Sequence, residues 1–230
     1  MLAAVVSPPV VPDDRELKYL VLPAMVPAVA TLLAALCAPE QPHPKSIVDT
    51  VYLDTPDLRS FEEKRASDFH KTKVRLRWYD GAGPVFAEVK RRCGTRRAKV
   101  RVALPLDAAC LLRDARGLPR FPGLPALLAS CGVPVPAILR PVVQLRYRRV
   151  RWVEPTTGIR VALDTEVAAV ATAAPFATAT GRPLPWAVLE LKGAAAGIPA
   201  ALAALPRLGC RRAAVSKYAA CLLSAAEVAA

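Results

Sequence analysis

Histidine is nearly missing from this chain: His43 and His70 are the only two in 230 residues. That leaves no Ser–His or Cys–His constellation for nucleophilic catalysis, and too few imidazoles for a structural zinc site. Six cysteines occur, with no C-x-x-C pair and no regular spacing, so free thiols in a reducing cytoplasm are expected rather than a disulfide framework. Aromatic residues make up 6 % of the chain and are not spaced as stacking platforms, which argues against a nucleic-acid partner. No basic stretch followed by an apolar core and a cleavage site opens the sequence, so no signal peptide is expected. The one long uncharged run, Tyr19 to Pro39, is broken by Pro23 and Pro27. It reads as a strand ending near Leu22 followed by a buried helix from Ala24 to Cys37, with Pro27 in the first turn, rather than as a membrane span.

Acidic residues are also in short supply. Nineteen Asp and Glu face 32 Lys and Arg, a net charge of +13. Such an excess points to an anionic partner. Hydrophobic residues reach 53 %, enough for a substantial core. The expected organisation is a loose leader over residues 1–12 and a single domain over 13–230, with a helical insert at 105–136 that carries little chemistry.

The cations are not scattered. In Lys71-Thr72-Lys73-Val74-Arg75-Leu76-Arg77-Trp78-Tyr79, strand alternation puts Lys71, Lys73, Arg75 and Arg77 on one face and Val74, Leu76 and Trp78 on the other. The same division recurs along the chain. Glu16 and Lys18 oppose Leu17, Tyr19 and Val21. Phe86, Glu88 and Lys90 oppose Val85, Ala87 and Val89. Arg97, Lys99 and Arg101 oppose Ala98, Val100 and Val102. Arg160, Ala162, Asp164 and Glu166 oppose Val161, Leu163 and Val167, and Glu190 and Lys192 oppose Leu189 and Leu191. Between Val142 and Val153 both faces are basic: Tyr147, Arg149 and Arg151 on one, Arg146 and Arg148 on the other.

Two folds satisfy this pattern. A half-exposed sheet would leave the charged faces in water. The alternative is an α+β fold built on a closed antiparallel β-barrel with a charged lumen and helices packed outside. The second accommodates the dominance of Lys and Arg and the apolar helices between strands. An enclosed bore so rich in cations demands a multiply charged anion or abundant water. The interspersed carboxylates Glu16, Glu88, Asp164 and Glu190 suit a phosphate chain bound together with a divalent metal, or, one by one, local ion pairs.

Eight short motifs then appear in order: Asp14-x-Glu16-x-Lys18-Tyr19, Tyr52-Leu53-Asp54-Thr55-Pro56, Lys73 to Tyr79, Phe86-x-Glu88-x-Lys90, Tyr147-x-Arg149, Arg160-x-x-x-Asp164-Thr165, Leu189-Glu190-x-Lys192 and Ser216-Lys217-Tyr218. Together they resemble the VTC (vacuolar transporter chaperone) domain of the CYTH-like triphosphate tunnel metalloenzymes. The resemblance implies a tunnel that binds ATP, triphosphate or polyphosphate. In polymerase members the terminal phosphoryl group of ATP is moved onto a polyphosphate chain with a divalent metal, manganese first and magnesium as the alternative. Carried over by motif, the catalytic residues are Arg75, Arg77, Lys90, Arg149, Arg160 and Lys217. Further phosphate contacts fall to Lys18, Lys73, Lys99, Arg101, Tyr147, Lys192 and Ser216. Glu190 is the leading metal ligand, with Glu88, Asp164 and Glu16 beside it.

No SPX-type helical region precedes this stretch in the sequence and no membrane segment follows it, so any membrane association is expected to run through a partner protein. The Asp14-x-Glu16-x-Lys18 opening also resembles the signature of related triphosphatases. Hydrolysis, or polyphosphate binding without turnover, stays open beside polymerisation.

Overall fold

The computed structural model describes residues 15–94, 96–176, 178–193 and 197–227. The expected leader, residues 1–12, lies outside them. The chain starts with β1 (Arg15–Val21), then a 3₁₀ turn leads into α1 (Val26–Leu36) with Pro27 in its first turn. Short β2 (Ala38–Pro39) and long β3 (Lys45–Asp54) follow, then α2 (Arg59–Arg65). The basic strand is β4 (His70–Tyr79), continued by β5 (Ala82–Cys93) and β6 (Arg96–Asp107).

The region expected as a helical insert is only partly helical. β6 runs into it, a small ladder of β7 (Leu112–Arg113) and β8 (Pro119–Arg120) follows, and α3 (Leu124–Ser130) is its one α-helix. Its prolines and leucines had hidden the strand continuation. Next come β9 (Arg140–Val153), β10 (Arg160–Thr172) and β11 (Ala187–Gly193). A helix expected near Pro199 to Leu205 is instead two 3₁₀ turns, before β12 (Arg211–Arg212) and α4 (Lys217–Glu227). No helix among the described residues is long and apolar enough to cross a membrane.

The main sheet is antiparallel in the order β12-β1-β11-β10-β9-β3-β4-β5-β6, with β2 on the side of β9. It is not the closed barrel that the alternation predicted: among the described residues no backbone ladder joins β6 to β12. The sheet nevertheless curls until its ends face one another. Lys90 on β5 and Glu16 on β1 are six strand steps apart, about 29 Å in a flat sheet at ~4.8 Å per step. Their side chains meet at 2.8 Å. The seam is spanned by this ion pair, because the β12 edge is two residues long and offers no length for a ladder.

The aliphatic faces behave as their pattern predicts. Under α1, Val29 and Leu33 pack on Tyr19, Val161, Leu163, Leu189 and Leu191. Under α3, Leu124 and Leu128 pack on Val74, Leu76, Trp78, Ala87 and Val102. α4 departs from the expectation of helices outside. Its Tyr218, Cys221 and Leu222 cluster with Tyr52, Val143, Leu145 and Tyr147. Register places Tyr52 opposite both Arg75 and Val143, so these residues share the charged, concave face. α4 therefore packs onto part of the concave face from within. The inner face is aliphatic there, and an apolar helix covers what water would otherwise wet.

Candidate functional site

Cross-strand register brings the charged alternations together. Arg75 sits opposite Tyr52 on β3 and Glu88 on β5; Glu88 sits opposite Arg101 on β6; Lys73 faces Lys90, which faces Lys99. On the other side Asp164 pairs with Arg149, and Glu190 with both Lys18 and Ala162. Curling the sheet turns both rows onto one cavity of ≈ 700 Å³. Its walls include Glu16, Lys18, Lys73, Arg75, Arg77, Lys90, Lys99, Tyr147, Arg149, Arg160, Glu190, Lys192, Ser216 and Lys217. Three sequence-predicted residues do not face it in the same way. Glu88 and Asp164 lie beneath the cations they neutralise, and Arg101 lines a neighbouring cavity.

Glu88 is the hub of one wall. Its carboxylate takes Arg75 at 2.5 Å, Lys99 at 2.9 Å and Arg77 at 3.4 Å, with Arg101 at 3.9 Å. Arg77 is held further by Nε donating to Thr50 Oγ1 and Nη2 donating to Tyr147 Oη. Burial would push the Glu88 carboxyl up, but Arg75, Arg77 and Lys99 hold it well below the usual carboxylate range. The surplus cations suffer the reverse. Burial lowers Lys73 to about 8, and Lys18, Arg75 and Lys90 add repulsion against the relief offered by Tyr52. Burial also brings Lys99 down to about 8, partly offset by Glu88 and reinforced by Arg75.

The second wall is richer in carboxylates. Arg149 forks onto Asp164 through Nε at 2.5 Å and Nη2 at 2.6 Å. Lys217, at the start of α4, reaches Asp164 at 2.6 Å and Glu190 at 2.8 Å. Burial opposes the charge on Lys217, yet Asp164 and Glu190 hold its ammonium above the ordinary lysine range. Glu190 also takes Lys192 at 2.8 Å and Lys18 at 3.5 Å; Glu16 takes Lys18 at 3.5 Å and Lys192 at 3.7 Å. Lys73 donates to Ser216 Oγ at 2.8 Å, tying β4 to the residue before α4.

Several lining residues escaped sequence reasoning. Tyr52 accepts a hydrogen bond from Arg75 Nη1 at 3.3 Å and stacks on Tyr218 with centroids 4.9 Å apart. Burial would raise its phenol, but Arg75, Lys73 and Arg77 draw it down to about 8. It stands in one of the motifs, but no row of cations marks its face of β3, and register with Arg75 on β4 assigns it to the bore. Tyr218 donates to Asp54 Oδ2 at 2.8 Å, and Asp54 accepts from the Ser60 and Phe61 amides at the start of α2. Asp54 thus ties α4 to the start of α2. Lys64, on α2, reaches the bore rim without any signal in strand periodicity. Glu166 leaves the inner row at a bulge, where its φ is 53°, and pairs outside with Arg148 at 2.8 Å.

The resemblance implies a divalent metal. Among the described residues no group of three or more His, Cys, Asp or Glu side chains is placed to hold one. Glu16 and Glu190, however, both line the cavity and share Lys18 and Lys192 as counter-ions, so two carboxylates already attend one cationic region. Magnesium-type ions are held by one or two carboxylates completed by substrate phosphates. The donor set fits a metal arriving with a phosphate chain.

Comparisons with known proteins bear on the fold and the family. Among curated protein sequences none matches. A protein from Bacillus halodurans described as a candidate adenylate cyclase superposes with a TM-score of 0.53 at 10 % identity, over 91 % of this chain and 96 % of its own. The PH1819 protein from Pyrococcus horikoshii superposes at 0.50 with 16 % identity, over 92 % and 99 %. A Hippeastrum protein, described as a candidate adenylyl cyclase with a dominant triphosphatase activity, gives 0.47 at 16 % identity, over 92 % and 96 %. At such identities the likeness is one of fold. The family model described as the VTC domain matches residues 13–226, and with so much of its length covered the chain belongs to the VTC domain family.

Proposed function

We propose that the chain is an ATP-dependent polyphosphate polymerase. The observation that carries the reading is the convergence of Lys18, Lys73, Arg75, Arg77, Arg149 and Lys217 on a single bore. A terminal oxygen of the polyphosphate chain attacks the γ-phosphorus of ATP. The bond from that phosphorus to the β–γ bridging oxygen breaks, ADP leaves with the electron pair, and the chain is longer by one phosphate.

Such a transfer needs positioning and charge stabilisation more than proton chemistry. The acceptor oxygen is already anionic, so the scarcity of histidine is no obstacle. Arg75 and Arg77 would clamp the transferring group, and the Glu88 carboxylate behind them holds their forks in place before substrate arrives. Arg149 and Lys217 would oppose them, oriented by Asp164 and Glu190. Lys90, Lys99, Lys192 and Arg160 extend the cradle, with Tyr147 and Ser216 as neutral donors. A divalent ion, manganese or magnesium, held by Glu190 and Glu16 with phosphate oxygens would supply neutralisation of developing charge.

Free thiols suit a reducing cytoplasm, and a membrane-protein partner would account for any association with the inner face of a membrane.

Hydrolysis on the same scaffold is the second reading, favoured by the carboxylate pair Glu16 and Glu190, which could orient water. Incubation with ATP and manganese, followed by sizing the product on a gel, tests both. A lengthening polymer supports polymerisation; phosphate release without polymer supports hydrolysis. Tight polyphosphate binding with neither product would reduce the chain to a binding module.

A further inference from the structure

The bore runs along β4, and its lining differs between the two ends of that strand. Lys71 and Tyr79 stand eight residues apart on that strand, about 27 Å at ~3.4 Å per residue. Around Lys71 gather Lys64, Arg92 and Arg97. Beyond Tyr79 lies a second cavity of ≈ 630 Å³, sharing Glu40, Tyr79 and Arg151 with the bore. Its walls include Phe86 and Arg101. The Arg101 guanidinium lies 3.6 Å above the Phe86 ring centroid and 5.6 Å from that of Tyr79. Tyr79 and Phe86 meet edge to face at 6.5 Å. The Nε of Arg101 is buried without a hydrogen-bond partner.

An in-line transfer puts the leaving group and the acceptor on opposite sides of the transferred phosphorus. In a bore with two ends, the donor's nucleoside and the growing chain therefore point to opposite ends. A phosphate chain carries charge at every unit and suits the cationic Lys71 end. A nucleobase is flat and nearly uncharged; it needs room and a planar π or guanidinium face. The Tyr79 end has the second cavity for room, and the Arg101 guanidinium and the Phe86 and Tyr79 rings for a planar face.

We propose that Phe86, Arg101 and Tyr79 form a stacking subsite for the base of a nucleoside triphosphate whose phosphates lie on Arg75 and Arg77. Phe86 is opposite Arg77 in register and two residues from Glu88, about 7 Å along the strand. That leaves space for the sugar between base and first phosphate. The subsite rests on the phosphate-binding reading of the bore and adds a preference that phosphate contacts cannot supply.

Isothermal calorimetry on the full chain with magnesium, using ATP and inorganic triphosphate as separate probes, tests it. Phe86→Leu keeps an apolar side chain, though a smaller one, and removes the ring; a thermal melt checks that the variant is folded. The expected result is ATP binding weakened on the order of tenfold, with triphosphate binding unchanged. An unchanged ATP affinity, or equal weakening of both probes, overturns the subsite while triphosphate binding by the wild type leaves the bore's role standing. Failure of the wild type to bind either probe overturns both.

Discussion

The two walls of the bore are built from the same residue types in different proportions. On the β4–β6 wall one carboxylate, Glu88, serves Arg75, Arg77, Lys99 and Arg101. On the β1–β11–β10 wall, completed by α4, Glu16, Asp164 and Glu190 serve Lys18, Arg149, Lys192 and Lys217. The first wall is left with uncompensated charge, and burial with mutual repulsion lowers Lys73 and Lys99 to about 8. The second is close to neutral, and Lys217 is held above its ordinary range. On the proposed reading, an incoming phosphate chain would relieve repulsion on the first wall and would compete with existing pairs on the second. The first would then be the anion-binding wall, and the second a frame that holds cations in place and could share its carboxylates with a metal.

The largest effect that could break this contrast comes from removing one arginine on each wall. Arg149→Ala leaves Asp164 fully buried with Lys217 as its remaining close cation, a loss of about 3–5 kcal/mol for breaking a buried pair. We expect it to abolish polymer formation and to lower the urea midpoint together. Arg75→Ala leaves Glu88 with Arg77 and Lys99. It should cut polymer formation roughly a hundredfold or more, with a much smaller change in midpoint. Equal destabilisation by the two variants would erase the distinction between frame and binding wall.

A smaller, graded effect comes from pH. In the folded chain Lys73 and Lys99 lose their protons near pH 8, whereas an unfolded lysine keeps its own to about 10.5. Between these values the unfolded state binds more protons, so the stability of the ligand-free protein rises with pH through that window. Tyr52, drawn from 10.0 to about 8, acts in the same direction. Triphosphate affinity should fall over the same range as the cations discharge. Melting temperature and calorimetric affinity measured from pH 7 to 9.5 should therefore move in opposite directions, once the global pH trend is subtracted with a Lys73→Met, Lys99→Met control.

The smallest effect is expected away from both walls. Arg113 is exposed and donates to the Gly117 carbonyl and Gln144. Arg113→Ala should leave polymer formation unchanged and shift stability by no more than about 0.5 kcal/mol. A large loss of activity would mean that cation count, rather than placement on the bore, sets function.

Much of this was legible because alternation in a strand is a local property. Lys73, Arg75 and Arg77 share a face whatever the rest of the chain does, and Val74, Leu76 and Trp78 must then be buried. Legibility failed where a residue's place depends on a neighbour distant in sequence. Tyr52 joins the site through register with Arg75, and Lys64 reaches it from a helix. Glu166 leaves the inner row because a bulge interrupts the period of two. On β9, where both faces are basic, the structure sorts them: Tyr147, Arg149 and Arg151 line the bore, while Arg146 and Arg148 pair outside with Asp49 and Glu166.

By itself, then, the order of residues determined which side chains share a face, which faces are greasy, and that a surplus of cations needs an anion. The meeting of Lys90 and Glu16 across the unclosed seam, and the entry of α4 onto the concave face, were decided only by the tertiary fold. The physical reason is curvature: it accumulates over many strand pairings, so no single segment records where the ends of the sheet will meet.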